Sequence, residues 1–145
     1  MNITTKKVCY TALLMAVTFI MISVVKIPIP NGYIHLGDTM IFLSVLVLGK
    51  KGGAAAAGLG SALADLLGGY AAYAIWPFMI KGRMGFIMGA FIERAIKKNK
   101  HHRRIGSVPV AELAGMVVAG IEMVIGYAAV DGILAGNMMT GILGA

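Results

Sequence analysis

Apolar residues in this chain fall in long runs, interrupted by short segments that are basic or rich in proline and glycine. Val8 to Val25 is 18 residues without a charge and follows Lys6 and Lys7, which predicts a transmembrane helix. A signal peptide shares that pattern, but Ser23 to Pro28 is a poor cleavage site, so the segment reads as a retained helix. Lys26 to Asp38 is expected to be a structured loop. Pro28 and Pro30 push their predecessors to extended geometry, and Asn31-Gly32 signals a turn. A second helix, Thr39 to Gly49, has only 11 residues and so covers about half of a roughly 30 Å hydrocarbon core. Lys50-Lys51-Gly52-Gly53 reads as a tight basic turn. The third helix runs from Ala54 to the pair Gly68-Gly69, and an aromatic connector, Tyr70 to Phe78, leads into a fourth helix from Pro77 to Ala95. Ile96 to Gly106 is a hydrophilic loop, and Val108 to Val130 is the fifth helix. The tail Asp131 to Ala145 offers at most about 22 Å of helical rise, broken by Gly132, Gly136, Asn137, Gly141 and Gly144, and is expected not to cross.

Composition turns this pattern into a choice of solvent. Of the 145 residues, 59% are apolar without counting glycine and only 13% are charged, about half the charge of a soluble chain. A fold of this size has too little interior to hide so much apolar surface from water. One all-α, polytopic membrane bundle over residues 1–145 is therefore expected. The single cysteine, Cys9, excludes an intrachain disulfide, and no metal-finger spacing is present. The formal charge of +7 is a topology signal rather than a nucleic-acid footprint. Assigning alternate sides to the loops places Lys6, Lys7, Lys50, Lys51, Arg94, Lys97, Lys98, Lys100, Arg103 and Arg104 together, against Lys26, Lys81 and Arg83. The larger set marks the cytoplasm, and the amino terminus with it. Binding of RNA or anionic lipid by the basic loop near residue 100 is the competing reading.

Small residues recur every four positions at Gly52, Ala56, Gly60, Ala64 and Gly68, and again at Gly85 and Gly89, as expected where membrane helices approach closely inside a bundle. Ala12 and Ala16 have the same spacing on the first helix, where they could instead form an outward docking face. Asp65, Lys81, Arg83, Glu112 and Glu122 fall within or at the ends of spanning segments, where an ionisable group is a functional candidate by default. Glu112 and Arg83 lie near helix starts, where snorkelling or local pairing suffices. Glu122 lies some ten residues from either end of its helix and must face protein, water or ligand. A pair between Glu122 and Lys81 is geometrically possible, and could serve a ligand or simply fix helix register.

Tyr33, His35 and Asp38 in the first loop, Trp76 in the connector, and Lys81, Glu122 and Tyr127 below them collect on the outer side. Rings that stack and a few polar groups that select suit a small, flat, polar heterocycle; several of these aromatics could equally be interfacial anchors. Enzyme chemistry has little support. The three histidines lie in loops, there is no phosphate-binding loop, and no serine or cysteine has a histidine beside it. No catalytic residue, metal ligand or cofactor is assigned.

Taken together, Gly32-Tyr33-Ile34-His35-Leu36-Gly37-Asp38, the short helix ending in Leu48-Gly49, the run Gly58-x-Gly60-Ser61-Ala62-x-Ala64-Asp65-Leu66-Leu67 and Ile80-Lys81-Gly82 resemble the substrate-binding S components of energy-coupling factor (ECF) vitamin transporters. The similarity is nearest to the riboflavin, hydroxymethylpyrimidine and pyridoxine-type branch. It implies a prokaryotic plasma-membrane protein of six helices, of which five are counted here, so the last is expected to be missing. It also implies a vitamin or vitamin precursor bound near the outer face, and a transmembrane coupling subunit with two cytoplasmic ATPases that drive uptake. Ala12 and Ala16 match the family's docking stripe for the coupling subunit. Two readings of other classes stand beside this one: a non-binding assembly subunit of a membrane complex, and a proton-coupled small-molecule transporter using Glu122.

Overall fold

The computed structural model describes residues 3–29, 32–98, 104–105 and 108–134. Among them are four helices, α1 (Ile3–Ser23), α2 (Gly37–Leu67), α3 (Ile75–Lys97) and α4 (Val110–Leu134). All four are long and apolar enough to cross a membrane. Four of their hydroxyls are consumed locally: Thr11, Thr18, Ser44 and Ser61 each donate to the carbonyl four residues back. That removes polar groups the bilayer could not satisfy.

Four continuous helices stand against the five expected, and the difference lies in α2 alone, which is two helical stretches joined across a kink at Gly49. The stretches expected as second and third helices form one element, α2, and Lys50 to Gly53 is helical rather than a linking turn. The physical reason is that the reversal needs a single residue. Gly49 takes φ 74° and ψ −174°, a conformation essentially confined to glycine. A Cβ built on Gly53 would lie 2.5 Å from Val45 Cα. In an uninterrupted helix those residues would stand about 12 Å apart. The chain therefore doubles back at Gly49 into a first limb of residues 37–48 and a second of residues 50–67.

Both limbs pack on α3, in opposite senses. Asp38 meets Lys81 and Lys50 meets Glu93, each pair 43 positions apart in sequence, so the first limb runs parallel to α3. On the second limb, Gly58 meets Phe78 while the backbone of Ala54 lies against Gly85, so that limb runs antiparallel. The small-residue stripes set these approaches. A Cβ on Gly89 would fall 2.5 Å from Lys50 Cα, and one on Gly60 would fall 2.8 Å from Met15 O on α1. Gly115 faces Met88 and Gly126 faces Ile80, placing α4 antiparallel to α3. The shared core is Ile41, Val45, Ala57, Met84, Met88 and Ala119. α1 and α4 flank it on the second limb and on α3.

The first loop is more regular than expected. β1 (Lys26–Ile29) and β2 (Gly32–His35) form an antiparallel hairpin with Pro28 opposite Tyr33 and Lys26 opposite His35. α2 follows from Gly37, two residues before the expected start. At the other end of the bundle, β3 (Arg104–Ile105) pairs with β4 (Val108–Pro109), within and just after the stretch expected as a hydrophilic loop. α4 continues through Asp131 to Leu134, four residues into the expected tail; residues 135–145 lie outside the described residues.

Candidate functional site

The β1–β2 hairpin hands the chain directly to the first turn of α2, which carries Asp38. Across from it, one to two turns into α3, Lys81 is buried with its side chain only 3% exposed. Lys81 Nζ donates to Asp38 Oδ1 at 2.9 Å, and the Asp38 side chain is 28% exposed. Asp65 on the second limb adds a favourable electrostatic contribution at the same ammonium. The buried cation is thus paired with Asp38, on the turn of α2 that follows the hairpin in the chain. A buried charge persists only with such compensation. The geometry presents a partly exposed carboxylate backed by a fixed positive charge, a pairing able to accept and donate hydrogen bonds to a polar ring.

The Glu122–Lys81 pair that the sequence left possible is not formed. Glu122 Oε1 instead lies 3.3 Å from Arg83 Nε. The reason is helical periodicity: Lys81 and Arg83, two residues apart, point about 200° apart around α3. Lys81 faces the first limb, while Arg83 faces out beside α4 with its side chain 69% exposed. Trp76 is half-buried at the start of α3 and, five residues before Lys81, leaves the helix about 140° away from it. Tyr127, half-buried on α4, follows Gly126, which packs on Ile80, so it lies at the level of Lys81. Tyr33 and His35 lie on β2, where the backbone fixes their register but their side chains fall outside the described residues. The structure therefore unites Asp38 and Lys81, places Tyr127 near their level, and separates Glu122.

Ala12 and Ala16 are exposed on α1, with Leu13 and Ile20 exposed on the same helix. At the opposite end of the bundle from Lys81, Lys50 bonds Glu93 Oε2 at 2.7 Å and lies 5.0 Å from the Phe86 ring centre. That arrangement ties the reversal of α2 to α3. Lys6, Lys7, Lys51, Arg94, Lys97 and Lys98 are exposed, on the first turn of α1, the reversal of α2 and the last turns of α3. No group of side chains suited to hold a metal occurs among the described residues.

Four long apolar helices, with a buried ion pair at one end of the bundle, define a multi-pass membrane protein. The particular family follows from the sequence as a whole: the chain matches the ECF-type riboflavin transporter S components over residues 2–143 and belongs to that family. It is thus a substrate-binding subunit of a membrane transporter, from a family that is not one of enzymes. A protein of Pyrococcus woesei, described as an uncharacterized protein in gap 3'region, is 41% identical over 114 residues, covering 77% of this chain and 69% of the relative.

Proposed function

We propose that this chain captures a vitamin or vitamin precursor, a riboflavin-, pyridoxine- or hydroxymethylpyrimidine-like heterocycle, at the extracellular end of the bundle for ATP-driven uptake by an ECF complex. The observation that carries the reading is the buried Lys81–Asp38 pair, on the turn of α2 that follows the β1–β2 hairpin, in a chain of this family. Asp38 accepts from a ring N–H, the ammonium of Lys81 holds that carboxylate in place, and Tyr33, His35, Trp76 and Tyr127 supply stacking and edge contacts. The exposed cations at the other end face the cytoplasm under the positive-inside rule, which puts the amino terminus inside. Ala12 and Ala16 form the seat of the transmembrane coupling subunit, supported by their exposure on α1, and that subunit links the chain to two cytoplasmic ATPases.

Titration of the purified protein with riboflavin, pyridoxine and hydroxymethylpyrimidine, with mass spectrometry of copurifying small molecules, tests this reading. Saturable binding of one of them, lost in Lys81→Met, is expected. No binding of any, and no copurifying heterocycle, refutes it in favour of a non-binding assembly subunit. Uptake that follows the proton gradient and not ATP would favour a proton-coupled carrier, for which Glu122 would have to titrate beside its Arg83 countercharge.

A further inference from the structure

Arg83 poses a problem that the vitamin site does not solve. It lies eight residues into α3, about 12 Å from the helix start and so within the membrane-spanning stretch. Its side chain is 69% exposed and its contact with Glu122 is 3.3 Å long. Its terminal guanidinium nitrogens meet no acceptor among the described residues. Glu122 is under-satisfied as well, since its Oε2 is buried without a hydrogen-bond partner. A guanidinium stays protonated in any protein environment, and hydrocarbon has no acceptors to offer it. Among the described residues nothing supplies that acceptor, and a lipid headgroup can.

Its surroundings indicate what brings that acceptor. Among the described residues, Arg83 is the one charged side chain lining an open groove of about 480 Å³ between the second limb of α2 and α3, whose other walls include Ala54, Ala55, Phe78, Met79, Gly82 and Phe86. From Phe78 to Ile87 the groove follows about 13 Å of helical rise, nearly the depth of one leaflet. Side chains of a helix lean toward its amino end. Arg83 therefore leans toward the Asp38–Lys81 end, where headgroups of that leaflet lie.

We propose that Arg83 and this groove form a phospholipid site. The guanidinium binds the phosphodiester and one acyl chain lies in the groove. Planar, forked donors match phosphate oxygens, and Glu122 holds the fork in position through Nε. The site is separate from the proposed vitamin site, since Arg83 points about 200° away from Lys81, and neither depends on the other.

The test uses the full chain, purified in mild detergent, delipidated, and titrated with phosphatidylglycerol or with a diacylglycerol of the same chains, with bound lipid counted by native mass spectrometry. One phosphatidylglycerol should bind saturably, at least about 5-fold more tightly than the diacylglycerol, the worth of one cation at a lipid surface. Arg83→Gln combined with Glu122→Gln, which leaves neither charge alone, should abolish that preference. Ala55→Phe, which fills the groove and keeps Arg83, should weaken both lipids. Binding of the two lipids with equal affinity by the unsubstituted protein would mean a non-selective annulus and overturn the proposal. Unaltered phosphatidylglycerol binding by Ala55→Phe would overturn it too, even if the double variant fails to fold. Failure of the isolated chain to bind either lipid would point instead to a protein seat and equally overturn it.

Discussion

Replacing Asp38 with asparagine should destabilise the protein more than replacing Lys81 with methionine, because the two partners are unequally buried. At 2.9 Å and an effective dielectric constant of about 20, the gross attraction is about 6 kcal/mol. Removing one partner of a buried pair typically costs about 3–5 kcal/mol, since the other charge stays behind in a poor solvent. Asp38→Asn leaves behind an ammonium that is 3% exposed. The expected cost therefore falls in that range, about 3 kcal/mol or more. Lys81→Met leaves a carboxylate that is 28% exposed and can recover solvation, so about 1–2 kcal/mol is expected. The double variant should cost less than the sum of the two, because it strands neither charge. Unfolding by titration with a denaturing detergent, followed by circular dichroism at neutral pH, measures all three. Equal costs, or a larger cost for Lys81→Met, would refute the claim that burial of the ammonium dominates this site.

Gly49→Ala should cost about 1–3 kcal/mol in the same assay although no atom lies within 4 Å of the added Cβ, because the penalty is in the backbone; Gly120→Ala, equally open but helical, should gain up to about 1 kcal/mol. Matching effects at the two glycines would disprove the reversal at Gly49. In a Cys9→Ser background, a membrane-impermeant maleimide applied to intact cells should label Ala71→Cys in the connector and spare Lys98→Cys, and the opposite pattern would invert the topology. Leucine at both Ala12 and Ala16 should block copurification of the coupling subunit while the isolated chain still binds its ligand, since close approach there is limited by side-chain volume; undiminished copurification refutes this docking face.

The helical runs were legible because lipid imposes one rule on every residue of a span, and charges and breakers marked the ends. What misled was the segment around Lys50. Two lysines and two glycines have the composition of a turn, yet the reversal needs only the single backbone state of Gly49, after which Lys50 begins a new limb at once. The same composition is compatible with either arrangement. The choice is made by tertiary contact, where the missing side chains of Gly53 and Gly89 let two backbones close on the reversal.

The site was half legible for a related reason. Periodicity places Lys81 and Arg83 on opposite sides of α3, which already forbids one inward-facing pocket built on both, but it does not say which of them faces α2. That depends on the first limb running parallel to α3, a consequence of the reversal. One signal was nonetheless present in the sequence: Asp38 to Lys81 and Lys50 to Glu93 span the same 43 positions. Two opposite-charge pairs with a common offset, twelve residues apart on two helical segments, are what a parallel packing with an ion pair at each end requires. The first pair locks the segment that follows the β1–β2 hairpin to α3, and the second locks the reversal to the same helix. The first limb of α2 and α3 thus form a frame fixed at both ends, and the partly exposed Asp38 carboxylate is held at the end where the hairpin enters α2.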